Sequence, residues 1–204
     1  MRKRTEARRL SFVNAAGKLF IEQGFGSVTM EAIASEAGAS KVTLYGYFPG
    51  KEALFEAFIE EAGKGGIAAL DASKDETDLR STLLHLGMAY LDLVTRRDVI
   101  GLNRLIIGEV GRQPELSRIF YEKGPRQTIL SICSVLDKLM ERGLLRRAEL
   151  REASLYFKSL CEAGSVERQL WGLDDVPDRE SRRVAVLKAI EVFLPAYLPP
   201  GVSL

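Results

Sequence analysis

The sequence predicts an all-α protein, with an N-terminal three-helix head ahead of a C-terminal helical bundle, and three observations carry that prediction. Apolar residues recur at helical spacing along nearly the whole chain, Gly and Pro fall between the periodic segments, and residues 29–49 hold two short helical patterns separated by a Gly-containing turn. The composition, 46% hydrophobic and 28% charged over 204 residues, is that of a globular chain of one or two domains, not a disordered or fibrous one.

The first helix follows from Leu10, Val13, Ala16, Leu19 and Phe20, which repeat at helical spacing after Thr5 until Gly24 and Gly26 stop the pattern. Thr29 is placed to cap a second, short helix with Ile33, Ala34 and Ala37 inward, and Gly38 permits the sharp turn after it. Ser40 caps a third helix that Pro49 terminates. Two short helices joined through such a turn form a helix-turn-helix. Further helices are expected over residues 52–71, 78–97, 99–112, 114–142 with a break at Gly124-Pro125, 148–172 and 179–198.

At about 100° per residue, Leu44 and Phe48 of the third helix point the same way and must be its buried anchors. Val42, Thr43 and Gly46 lie opposite, all small, as a helix entering the ~12 Å major groove requires. Tyr45 and Tyr47 flank that arc, where their hydroxyls reach phosphates; the alternative is that both are core aromatics with wet hydroxyls. Lys51 opens the next helix beside an anion-friendly N-terminus, and Lys41 has a groove-edge position in the first turn. Charge agrees with this placement. Residues 1–51 hold eight Lys/Arg against four Glu, whereas the remainder holds 21 basic and 24 acidic residues. A basic head on a mildly acidic body suits a polyanion.

Other functions are disfavoured by what is missing. There is no Gly-x-Ser-x-Gly elbow, no phosphate loop and no His-Glu-x-x-His helix, so an enzyme is not expected. Cys133 and Cys161 are far apart with no CxxC spacing, and His85 is the one histidine, so reduced thiols are expected and neither metal nor cofactor. No apolar run approaches the roughly 18 residues of a membrane span, and the basic start leads into an amphipathic segment, so a cytoplasmic location is expected.

The stretch "VTMEAIASEAGASKVTLYGYFPGKEALFEAF" closely resembles the DNA-binding signature of the TetR/AcrR family of bacterial transcriptional regulators, with a dense match over residues 10–58. The resemblance implies a DNA-binding domain over residues 1–51, with contacts to a double-stranded operator from Thr29, Lys41, Val42, Thr43, Tyr45, Tyr47 and Lys51. Gly46 departs from the pattern, since many members place a larger residue there. The basic residues before the first helix resemble the N-terminal extensions of some members, or else form a solvated tail.

The resemblance also implies that residues 52–204 bind an effector inside a helical bundle and form a homodimer through the last two helices. Residues 101–125, "GLNRLIIGEVGRQPELSRIFYEKGP", resemble an AefR-like subgroup. The expected activity is therefore that of a repressor released by a small, largely apolar effector; the alternative is a DNA-binding protein whose body docks a partner protein. Effector candidates are His85, Asn103, Arg104, Glu109, Phe157 and Trp171. His85 reads equally as a core histidine, Arg104 and Glu109 as a surface ion pair, and Phe157 and Trp171 as core aromatics.

Two half-sites about 34–36 Å apart favour a dimer on physical grounds. The last helix carries Val184, Leu187, Ala189, Ile190, Val192, Phe193 and Leu194 around more than one face, which suits burial by a partner or a central place in the monomer core. Gly63, Gly65 and Gly66 each cost a helix interior about 1 kcal/mol relative to Ala, so the helix leaving the head is expected to bend there when effector binds, unless the glycines serve close packing instead.

Overall fold

The computed structural model describes residues 2–75 and 78–202, with side chains for all of these except 2–4 and 75. Among the described residues no strand occurs. The helices are α1 (Arg2–Gln23), α2 (Met30–Glu36), α3 (Lys41–Tyr45), α4 (Lys51–Ala72), α5 (Leu79–Val94), α6 (Arg97–Glu109), α7 (Pro114–Lys123), α8 (Pro125–Glu141), α9 (Leu150–Glu162), α10 (Ser165–Leu170) and α11 (Arg179–Tyr197). None is long and apolar enough to cross a membrane.

Three of the differences from the sequence expectation have a clear local cause. Helix α1 begins at Arg2, because nothing before Thr5 breaks a helix, so the expected N-terminal arm is its first turn; the side chains of Arg2, Lys3 and Arg4 lie outside the described residues. Helix α3 ends at Tyr45 with Gly46 as its C-cap, short of Pro49. Gly46 is a poor helix former, and Pro49 disfavours helical backbone at Phe48, so Tyr47 stands in a turn instead of on a helix face. The helix expected over 148–172 divides into α9 and α10, because Ala163 and Gly164 are left-handed, with φ of 41° and 85°.

Two compact units share the chain. The first holds the residues up to Ala62 together with Gly101–Gly124. Its core joins Phe12, Phe20 and Leu19 of α1, Ile33 of α2, Leu44 of α3 and Leu54 and Phe55 of α4 to Leu102, Leu105 and Ile106 of α6 and Leu116 of α7. Phe20, Phe25 and Phe55 pack edge to face or tilted with centroids 5.0–5.9 Å apart. A β-carbon on Gly17 would stand 2.4 Å from the Phe58 ring, so only glycine lets α1 and α4 approach this closely. Lys123, at the end of α7, pairs with both Glu56 and Glu60 of α4.

The second unit holds Gly63–Ile100 and the residues from Pro125 onward. Its core is built from Leu83, Leu86 and Tyr90 of α5, Ile132 and Leu136 of α8, Phe157 of α9 and Ile190, Phe193 and Leu194 of α11. Phe157 meets Phe193 edge-on at 5.2 Å, and Phe193 stacks on Tyr197 at 4.3 Å. Arg146 closes the end of α11: its backbone N–H donates to the Tyr197 carbonyl at 2.8 Å and its Nε to the Ala196 carbonyl at 2.7 Å. Cys161 is buried and Cys133 half-buried, both free thiols; burial pushes the Cys161 thiol up to about 12.

Helix α4 runs unbroken through Gly63, Gly65 and Gly66. The three glycines are not equivalent. A β-carbon on Gly65 meets nothing within 4 Å, whereas one on Gly66 would lie 2.6 Å from Leu93 Cδ1 and 2.9 Å from Leu93 Cβ. Gly65→Ala is therefore expected to stabilise the protein by about 1 kcal/mol in urea unfolding. Gly66→Ala is expected to destabilise it by about 1–3 kcal/mol, because the buried Leu93 must move.

Candidate nucleic-acid interface and ligand cleft

The head's turn is fixed by backbone chemistry. The Thr29 hydroxyl accepts from the Ala32 N–H at 3.1 Å and so caps α2. At the other end the Gly38 N–H donates to the Ser35 carbonyl at 3.0 Å and the Ala39 N–H to the Ala34 carbonyl at 2.9 Å, a Schellman closure that needs the left-handed φ of 59° at Gly38. Arg8 of α1 braces the turn, donating to the Ala37 and Gly38 carbonyls at 3.2 and 3.0 Å. The Ser40 hydroxyl then accepts from the Thr43 N–H at 3.1 Å and starts α3.

Leu44 and Phe48 are buried, as the helical spacing requires, and they turn the opposite side of α3 outward. Val42 is 83% exposed and Tyr45 47% exposed. Thr43 is exposed, with its hydroxyl 2.8 Å from that of Ser40. Lys41 is exposed, bonded to Glu31 of α2, and its ammonium lies 5.7 Å from the centre of the Tyr45 ring. Tyr47 is half-buried, its ring 5.5 Å from that of Phe12. Lys51 donates to the Phe25 carbonyl at 2.8 Å and lies 4.6 Å from the centre of the Phe25 ring, so it also ties the start of α4 to the loop after α1.

The six effector candidates are divided between the two units. Asn103, Arg104 and Glu109 lie on α6 in the first unit, where a Glu109 oxygen would be 3.3 Å from a β-carbon on Gly24. Phe157 is fully buried in the second core, and Trp171 is 69% exposed after α10. His85 lines a cleft of about 550 Å³ between the second half of α4 and α5. Gly65, Ala69, Met88 and Leu93 form its apolar wall, and Ser73, His85, Asp92 and Arg96 supply polar groups. Asp92 also forms an ion pair with Arg182, whose Nε lies 2.8 Å from Asp92 Oδ1.

Comparison with known proteins accounts for both units. Residues 12–58 match the family described as bacterial regulatory proteins, tetR family, and residues 81–199 match the C-terminal domain of AefR-like transcriptional repressors. The chain belongs to the TetR family.

A TetR-family protein of this kind is a DNA-binding transcriptional regulator and not an enzyme. Among solved structures, the flavonoid-responsive regulator FrrA is 32% identical, with 96% of this chain and 100% of that one covered at a TM-score of 0.78. A TetR-family regulator of Mesorhizobium loti shares the fold at a TM-score of 0.84, with 24% identity over 96% of this chain and 99% of that one. An uncharacterised HTH-type regulator of Mycobacterium tuberculosis is 29% identical over 66% of this chain, and the match spans 64% of that relative's length.

Sequence reasoning missed two residues of the TetR-family head. Arg8 gives no local signal for its bond to a turn 29 residues away. Glu31 did carry one: an acidic residue two positions after the Thr29 cap, with Lys41 at the start of the next helix.

Proposed function

We propose that the chain is a cytoplasmic, homodimeric repressor whose hold on a double-stranded DNA operator is released by a small, largely apolar effector. In this reading residues 1–51 read DNA through Thr29, Lys41, Val42, Thr43, Tyr45, Tyr47 and Lys51, and residues 52–204 dimerise and take the effector. The observation that supports the effector is an open cleft of about 550 Å³ between α4 and α5, with an apolar wall and a few polar groups. Similarity to a flavonoid-responsive regulator points to flat aromatic effectors as the first class to screen.

The test fills the cleft. Met88→Trp is expected to leave operator binding within about twofold and to weaken release by an active flavonoid at least about tenfold, by occupying the space that the ligand needs. Fluorescence anisotropy of a labelled operator, titrated with a flavonoid panel, reads both quantities. Release by the same compound at the same concentration in Met88→Trp and wild type would place the effector elsewhere. The exposed Trp171, Leu173 and Val176 favour a second reading, in which the body docks a partner protein. Under that reading no compound in the panel releases DNA, and Trp171→Ser loses regulation in cells.

A further inference from the structure

The reading face of the head carries an acidic residue that DNA binding does not call for. Glu31 stands exposed in the first turn of α2, and its carboxylate takes the ammonium of Lys41 from the first residue of α3. The same ammonium lies over the Tyr45 ring, so a carboxylate, an ammonium and a phenol form one connected series. The hydrogen bond between them holds the Glu31 carboxyl below its usual range and raises Lys41 above its own, so both stay charged at neutral pH.

Stability does not explain the pair. Both side chains are more than half exposed, and ion pairs of that kind contribute about 0–1 kcal/mol. Near DNA an acidic side chain repels phosphates, so placing one between Thr29 and Lys41 lowers the electrostatic contribution to binding that all sequences share. Binding without sequence preference grows with the number of cations free to neutralise phosphates. The other described cations of the head are engaged too: Lys18 with Glu36, Arg9 with Glu6, Arg8 with the carbonyls of the turn and Lys51 with that of Phe25.

We propose that Glu31 is a specificity-determining residue, which cancels the charge of Lys41 toward phosphates and holds its ammonium against Tyr45. Lys41 is then presented in one direction at the first turn of α3, where a lysine can reach the acceptors of a guanine edge, instead of sampling the backbone freely. The inference rests on the DNA-reading role of the head.

An operator duplex selected from a random pool by the wild-type protein provides the test. Its affinity and that of a scrambled duplex are measured by anisotropy across a salt series for wild type, Glu31→Gln, Lys41→Met and the double variant. Glu31→Gln is expected to bind scrambled DNA about 5- to 10-fold tighter at low salt, with the slope of log K against log salt steeper by about one per bound chain. Operator affinity is expected to change less, so the operator-to-scrambled ratio falls about fivefold. In the Lys41→Met background the same substitution is expected to change the slope little. A ratio unchanged within twofold in Glu31→Gln overturns the proposal, and so does an equal change in both backgrounds, which would make Glu31 a direct repeller of phosphates. A wild-type protein that enriches no sequence overturns the DNA-reading role itself. Thermal unfolding of each variant separates these results from misfolding.

Discussion

Val42→Glu is expected to weaken operator binding by about 100-fold or more while leaving the urea midpoint almost unchanged. Val42 is 83% exposed on the side of α3 opposite the buried Leu44, so folding makes little use of it. In the proposed DNA-reading role the same position faces the groove. A carboxylate there loses apolar contact with base methyl groups and sets a negative charge among phosphates, and like charges at an interface cost several kcal/mol. About 2.7 kcal/mol is 100-fold in Kd. Val42→Ala removes contact without adding charge and is expected to cost only several-fold. Operator binding by Val42→Glu within threefold of wild type would mean that α3 does not face DNA.

In the proposed homodimer, Val192→Glu is expected to give a monomer in sedimentation and, with it, to lower operator affinity by about 100-fold. The buried face of α11 is Val186, Ala189, Ile190, Phe193, Leu194 and Tyr197. Val192 is 60% exposed and Val184 39% exposed, apolar positions two helical turns apart outside that face, with the exposed Lys188 between them. A second copy of the chain would cover them. Linked half-site binding raises avidity by 10²–10⁴ without new contacts, and a monomer forfeits that gain. Substitution at an exposed site leaves the core of the second unit intact, so monomer unfolding separates loss of assembly from loss of fold. A dimer that survives Val192→Glu would move the interface to other exposed apolar positions, such as Leu130 on α8 and Tyr156 on α9.

Much of this was legible in the sequence because the signals are local. Thr29, Ser40 and Asp78 cap helices through bonds to the backbone N–H three residues on, so the residue type and spacing suffice. The chain breaks at Gly124-Pro125 between α7 and α8, with Pro125 the first residue of α8, as expected. Leu44 declares the buried side of α3, with Phe48 buried just beyond its end, and by exclusion the side of Val42 and Thr43.

The ligand cleft was only partly legible. His85 is the one candidate of the six in its wall, whereas Met88, Asp92, Leu93 and Arg96 emerge only when α4 is laid against α5. Phe157 and Trp171 look alike as aromatics in a helical pattern, yet one is buried in the second core and the other 69% exposed. Ala163 and Gly164 break the helix between them and turn the chain away.

The sequence by itself determined the all-helical class, the caps of the two short helices in the head, the helix-turn-helix and the family. Helix propensity, capping and the spacing of apolar residues act within a turn or two of chain, so residue order contains them. The tertiary structure alone decided that α6 and α7 complete the core of the head, that Arg8 braces its turn, and that Gly66 is a packing contact while Gly65 is open. Each of these joins residues far apart in the chain. Whether two such residues meet depends on how whole helices pack, which no window of sequence specifies.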